Sequence, residues 1–388
     1  MTKAKKVAKH VIDRPMLIIT GVLLLAGIFV FISAALSVLP KNSALFQRMV
    51  VSQLLFALVG GVGAAFLFAR IPFRVWQQYA LPIGIVSTLA TLLVFVPGLG
   101  FEHGGARRWI SLGVTTLQPA ELLKFGVIMY WAAFLSFAGK KIRSWGFGLV
   151  SLLAFAVIPG VVLLLQPDTG TFLVLLGTLG VLYFLAGAPL KHIWAMAGIA
   201  LLGFIILIAS RPYLLDRIKT FSDPTHDPTG SSYQIQQSLI AVGSGGLAGR
   251  GYGRSAQKFQ YLPEPVGDSV FAVAAEELGF IGSIIIIFIF MLFLWRGLHI
   301  SARAPNQFAR LLVAGIIIMI TLQAFVNIAS ILGLMPLTGL PLSFMSHGGT
   351  SLLITLAMVG IVLQVSRYQR VNRYAGKRAS GIMTNSKE

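Results

Sequence analysis

Between Arg250 and Gly279 the chain reads RGYGRSAQKFQYLPEPVGDSVFAVAAEELG, where three cations (Arg250, Arg254, Lys258) meet four carboxylates (Glu264, Asp268, Glu276, Glu277). An apolar run, LGFIGSIIIIFIFMLFLW, overlaps its end. A carboxylate held at the mouth of a greasy segment is partly desolvated, which raises its proton affinity and makes it a usable base. Asp268 has that position. It also has the position of a helix N-cap, because Asp268-Ser269 before an apolar run is a start signal. Glu276 and Glu277 lie about two turns further on, where a glutamate must turn into the protein and find a partner. Pairing with a base on another segment satisfies that need without any chemistry.

Further cations lie elsewhere. Arg107 and Arg108 precede Trp109, and Glu121 and Lys124 share a helix face at i, i+3. An anchoring ion pair explains the second pair; a cationic pocket for phosphate is the functional alternative, with Arg offering a fork and Lys a point charge. Arg250 and Arg254 would add to such a pocket, or simply be solvated. Asp168 in Gln166-Pro167-Asp168-Thr169-Gly170 suits a turn. His347 stands in SHGGTS, whose glycines permit close backbone approach. The run GSGGLAGRGYG lacks the phosphate-loop lysine and follows no strand, so both nucleotide-binding glycine motifs are excluded. The six histidines show no H-x-x-x-H spacing, and no structural zinc is expected.

The elements that must position these groups are membrane spans. Of 388 residues, 56% are hydrophobic, 11% are charged and none is cysteine. A soluble chain carries about 25% charged residues. The missing cysteines exclude thiolate catalysis and disulfides. Apolar windows fall near 16–36, 50–69, 79–97, 120–138, 147–165, 169–190, 193–210, 270–295, 309–332 and 348–367. The expected fold is therefore an all-α polytopic membrane protein of about ten transmembrane helices. It forms one integral membrane domain over 1–388, with basic tails at about 1–14 and 368–388. The windows are continuous rather than alternating, which argues against a β-barrel. The first window is long and many follow it, so it reads as an uncleaved span.

The tails and alternate loops carry 20 of the 31 Lys/Arg and two of the twelve acids. That set reads as cytoplasmic, with both termini inside. The formal charge of +19 is then positive-inside bias, and nucleic acid is not read as a partner. The opposite face receives 98–119, the 166–170 turn, a large loop at about 211–269, and MPLTGLPLSFMSHGGTS. Within the large loop, RPYLLDRIKTFSDPTHDPTG reads as turns. After it, Ser231 and Gln234 have capping-box spacing before a short amphipathic helix along the membrane surface.

These pieces, in this order, resemble the SEDS family of bacterial cell-wall proteins, whose branches are FtsW, RodA and SpoVE. The resemblance rests on GARRWI, LQPAELLK, QPDTGT, QIQQSLIAVGSGGLAGRGYG, LPEPVGDSVFAVAAEELGFIG and PLTGLPLSFMSHGGTSLL, and covers nearly the whole chain. SAQKFQYLPE looks most like the FtsW branch. The resemblance implies a peptidoglycan glycosyltransferase that polymerises lipid II at the outer face of the cytoplasmic membrane during septal cell-wall synthesis. It implies Asp268 as the essential acid, with Arg108, Lys124 and Glu121 matching family elements. Arg250 and Arg254 are expected near the diphosphate, with Glu277, Glu264, Ser346, His347 and Gly348 in support. Val266 and Gly267 stand where the family has His and Thr, and His347 where it has Tyr. A class B penicillin-binding protein, other division proteins and membrane lipids are implied partners. A divalent cation such as Mg2+ would suit the diphosphate, though no metal cage is written in the sequence. A RodA-like elongation polymerase, a lipid II flippase and a non-catalytic scaffold remain as alternatives.

Overall fold

The computed structural model describes residues 12–103, 106–111, 116–223 and 231–368. The basic tails lie almost entirely outside these residues. Eight helices are long and apolar enough to cross a membrane, and two shorter apolar helices complete the ten expected spans. In chain order the first seven are α1 (Arg14–Ala35), α2 (Ser43–Phe68), α3 (Ala80–Phe95), α4 (Pro119–Arg143), α5 (Trp145–Leu165), α6 (Thr169–Leu185) and α7 (Leu190–Ser210). Two helices of the large loop follow, α8 (Pro212–Ser222) and α9 (Ser231–Ser244). The last three spans are α10 (Val270–Ala302), α11 (Gln307–Ile331) and α12 (Gly349–Ser366).

Local signals start several of these helices. Asp13 caps α1 by accepting from the Met16 N–H at 2.9 Å, and Pro15 follows inside the first turn. Asn306 caps α11 in the same way through Ala309.

Burial sorts the spans. Most of α11 and α12 is buried (78% and 89% of their apolar windows), whereas α7 shows none. A helix apolar all round must lie inside the bundle or against lipid. Thus α11 and α12 form the centre, and α7 stands at the edge. Close packing uses small residues: a Cβ added at Gly360 of α12 would meet the Ala65 carbonyl of α2 at 2.3 Å.

The segment 211–230, expected as turns, is helical over Pro212–Ser222; residues 224–230 lie outside the described ones. Pro212 occupies the first helical position, where its missing N–H costs nothing. The helix expected after Ser231 is present as α9. It lies against α10, with Ile235 and Ala241 buried. A small antiparallel sheet was not anticipated: β1 (Gly100–His103), β2 (Ala106–Ser111) and β3 (Thr116–Leu117). Arg108 lies on its central strand.

The run from Gly243 to Gly253 wraps the chain's own break. Gly279 interrupts α10 at φ 70°, ψ −168°, a conformation open essentially to glycine alone. The freed carbonyls of Glu276 and Glu277 accept from the N–H groups of Arg250 and Gly251, both at 3.0 Å. In return Phe280 and Ile281 donate to the carbonyls of Gly246 and Leu247. A Cβ at Gly279 would meet the Gly249 nitrogen at 2.3 Å, so bare backbone is required for this fit.

Candidate active site at the Asp268 loop

Asp268 ends a tight turn before α10. The N–H groups of Gly267 and Ser269 both donate to the Glu264 carbonyl, and Glu264 takes φ 46°. The segment after α11 clamps this turn from one side. Ser346 Oγ donates to the Gly267 carbonyl at 2.5 Å, and the His347 N–H donates to the Val266 carbonyl at 2.8 Å. Both clamps grip main-chain carbonyls. Neither contact depends on the side chains at positions 266 and 267. Gln53 of α2 holds the clamp in place, donating to the Ser346 carbonyl and accepting from the Gly348 N–H. His347 stacks on Phe31, and burial pushes its pKa down to about 4, so the imidazole is neutral near pH 7.

Asp268 does not serve as the helix cap. The cap position of α10 falls on Ser269, and no side chain bonds the first-turn N–H groups there. The half-buried carboxylate instead faces Gln234 of α9, whose Nε2 lies 3.3 Å from Asp268 Oδ1 and 3.0 Å from Ser269 Oγ. Burial, then the charge of Glu264, pushes the Asp268 pKa up to about 6 from the ordinary 3.8; Gln234 and, less, Arg217 oppose the shift. A carboxylate with that proton affinity is poised to accept a proton near neutral pH.

Four consecutive residues tie this carboxylate to two arginines. The Leu337 carbonyl accepts from Arg217 of α8 at 3.0 Å. Thr338 packs on Gly170, where an added Cβ would lie 2.9 Å from the Thr338 carbonyl. The backbone at Gly339 faces Asp268, with a Cβ position 4.0 Å from Oδ2. Asn327 of α11 closes the strip, donating to the carbonyls of Leu340 (2.7 Å) and Asp268 (2.8 Å). Gly170 belongs to the 166–170 turn, and Arg108 donates to that turn's Gln166 and Pro167 carbonyls. Asp168 acts there as expected of a turn former, capping α6 through the Thr171 N–H. Arg108, Arg217 and Asp268 are thus gathered around 337–340. Five buried side-chain atoms without a described hydrogen-bond partner lie on the surrounding loops and α11: Gln166 Oε1, Asp168 Oδ2, Asn327 Oδ1, Thr338 Oγ1 and His347 Nδ1. Such a concentration marks polar capacity not spent on the fold.

Lys124 is turned inward. Its Nζ donates to Glu121 Oε1 at 2.8 Å and to Gln323 Oε1 at 2.6 Å, and both charged residues are buried. Gln323 in turn donates to the Pro341 carbonyl, so this pair holds the far end of the same strip. Arg250 and Arg254 are not among the residues that this strip gathers. Arg250 reaches Glu276 Oε1 at 3.5 Å and the Ser244 carbonyl, and Arg254 is exposed. Glu277 lies in a second cluster, accepting from Lys258 Nζ at 2.6 Å and from Ser33 Oγ of α1. Glu276 accepts from the Ser255 hydroxyl and the Ala256 N–H beside it. Among the described residues, no three His, Asp or Glu come together in a group that would hold a metal ion.

The family profile described as "Cell cycle protein", that of FtsW, RodA and SpoVE, matches residues 14–371. Stage V sporulation protein E of Bacillus subtilis is 42% identical over 318 residues, covering 82% of this chain and 87% of that protein. The probable peptidoglycan glycosyltransferase FtsW of Trichlorobacter lovleyi is 38% identical over 367 residues, covering 95% and 96%. Among solved structures, a chain of a peptidoglycan synthase complex that coordinates polymerization and crosslinking superposes with a TM-score of 0.76 at 30% identity, covering 92% of this chain and 99% of that one. The rod shape determining protein RodA of Thermus thermophilus superposes at 0.67, also with 30% identity, over 93% and 98%. On this match of sequence and fold along nearly its whole length, the chain belongs to the FtsW/RodA/SpoVE family of cell cycle proteins.

Proposed function

We infer that this chain is a peptidoglycan glycosyltransferase, the activity its FtsW relatives carry in their names, and that Asp268 is its general base. The observation that carries the reading is the strip 337–340, which gathers a carboxylate of raised proton affinity and the cation Arg108. Lipid II is the substrate. The 4-hydroxyl of one disaccharide attacks the anomeric carbon of another. The new C–O bond forms as the bond from that carbon to the diphosphate breaks with inversion. Asp268 takes the hydroxyl proton, and the electron pair leaves with undecaprenyl diphosphate. Charge gathers on the leaving group, and Arg108 offsets it. Lys124 and Glu121 act from behind, fixing Gln323 and so the strip.

The Lys/Arg-rich loops lie in the cytoplasm with both termini, and the Asp268 face is extracytoplasmic. The partner is a single-span class B penicillin-binding protein in septal synthesis; the likeness to a chain of a polymerizing and crosslinking complex supports that assignment. A flippase would need polar groups along a path through the bundle. Here the described ion pairs of the spans sit toward helix ends, in the first two turns of α4, about two turns into α10 and where Asp13 meets Arg296 near the other end of α10, which favours chemistry at the membrane surface.

Purified protein supplied with lipid II tests the reading. Glycan polymer that disappears in Asp268→Asn is expected. Polymer at the wild-type rate from that variant removes Asp268 as base. No polymer from the wild type, even with a cognate transpeptidase present, overturns the activity itself.

A further inference from the structure

Arg217 played no part in reading the sequence, yet it is the cation that the large loop brings to the site. It projects from α8 and donates to the Leu337 carbonyl. Arg108, from the small sheet, donates to the Gln166 and Pro167 carbonyls. Neither forms an ion pair with a carboxylate among the described residues. A carbonyl orients a guanidinium without cancelling its charge. Each arginine therefore keeps its full positive charge and, having five N–H donors, spare donors as well. Burial and then the charge of Arg108 act against the Arg217 guanidinium, and the carboxylates of Asp268 and Asp168 offset this only in part. Two oriented guanidinium groups across one strip, neither ion-paired, are stable together chiefly when a further anion lies between them.

We propose that Arg217 is a diphosphate-binding residue, forming with Arg108 a two-guanidinium clamp for the leaving group of the donor. The assignment rests on the glycosyl-diphosphate reading above. Monodentate attraction would suit one phosphate. Two forks anchored on separate loops suit two linked phosphates, which can take one each. The alternative is that Arg217 acts only through Asp268, as a counter-charge holding that carboxylate ionised. The geometry disfavours it: the described hydrogen-bond partner of the carboxylate is Gln234, and Arg217 is tethered to the Leu337 carbonyl instead.

The probes are undecaprenyl diphosphate and undecaprenyl monophosphate, titrated against the full-length protein in nanodiscs. Wild type should bind the diphosphate about tenfold or more tighter than the monophosphate, as expected when one charge-assisted fork is gained. Arg217→Gln should remove most of that preference, and Arg217→Lys should restore part of it by returning the charge without the fork. In polymerisation assays Arg217→Gln should raise KM for lipid II while the acid limb of the pH–rate profile stays in place. Preference retained in Arg217→Gln, or an acid limb displaced upward in that variant, overturns the clamp and leaves the glycosyltransferase reading standing. If wild type itself does not prefer the diphosphate, the donor-site reading fails first. Should Arg217→Gln not fold, Arg217→Lys, which keeps the charge and loses the fork, decides by the diphosphate preference: a fall is expected, and the full wild-type preference overturns the clamp.

Discussion

Two polar clusters sit at the same end of α10, and they are built on opposite rules. Around Glu276 and Glu277 the charges are matched: Lys258 lies 2.6 Å from Glu277 Oε1, Ser33 reaches both oxygens of Glu277, and the Ser255 hydroxyl with the N–H groups of Ala256 and Gln257 serves Glu276. Lys258, Glu276 and Glu277 are all buried. Around Asp268 the carboxylate has one long side-chain bond to a neutral amide, and the arginines are tethered by carbonyls rather than neutralised. A buried charge with every valence met holds helices together. One left unmatched is unfavourable for the fold and is kept where chemistry uses it. Sequence alone places seven acids and bases in one stretch; only their partners separate the two roles.

The comparison is tested hardest at Asp268. Replacing it with Asn should reduce polymerisation by about 10²–10⁴-fold, the usual worth of a general base, with the fold retained. The wild-type rate should fall tenfold per pH unit below about 6, and the residual rate of the variant should lack that limb. Stability should move the other way. The folded pKa is raised from 3.8 to about 6, so protonation favours the fold. That stabilisation is complete below about pH 4 and is lost as pH rises to about 6. Thermal unfolding should therefore show Asp268→Asn gaining on wild type over this window. A gap that does not vary with pH would place Asp268 with the matched cluster.

The matched cluster predicts the reverse pattern. Lys258→Met leaves Glu277 buried without its cation, and such a break costs about 3–5 kcal/mol. Lys258→Met with Glu277→Leu removes both charges and should recover most of the loss. Unfolding midpoints in detergent measure both. A single variant as stable as wild type but catalytically dead would merge the two clusters into one site.

How much of this was open to reading varies by residue. The spans were legible because about 20 apolar residues in a row have few other uses. Asp268 was legible from its place before such a run. That Lys124 pairs with Glu121 followed from i, i+3 spacing, but which way the pair faces depends on α11, whose Gln323 lies 199 residues away. Arg217 was hidden by its neighbours. Pro212, Asp223 and Pro224 draw the segment toward turns, although Pro at a first helical position and Leu214, Arg217 and Ile218 at helical spacing were signals for α8. The three strands were missed because they are short and the first pair shifts register between Phe101 and Glu102. The glycine run was legible as backbone fitted to something; that it fits a break in the same chain was not.

Gly279→Ala examines that break. Its φ and ψ lie where an L side chain costs about 1–3 kcal/mol, and the new methyl group meets the Gly249 nitrogen. The variant should unfold at lower temperature. Because the 243–253 wrap leads directly to Ser255 and Lys258, its loss should loosen the matched cluster before the Asp268 turn, which Ser346 and His347 hold independently. Hydrogen exchange should therefore rise first at Arg250 and Gly251. Protection lost first at Gly267 and Ser269 would show that the two clusters are one cooperative unit.

The mildest change is Arg250→Ala. This arginine is the outer member of the matched cluster, about half exposed and 3.5 Å from Glu276 Oε1, an ion pair screened by solvent. Glu276 keeps its bonds from Ser255, Ala256 and Gln257, so no buried charge is stranded. The backbone bond from residue 250 to the Glu276 carbonyl survives the substitution as well. The loss should be about 0.2–1 kcal/mol and should shrink further in high salt. If Arg250 belongs only to this cluster, lipid II polymerisation stays near the wild-type rate. A large fall in kcat/KM with unchanged stability would instead draw Arg250 toward the diphosphate, and the border between the two clusters would have to be moved outward to include it.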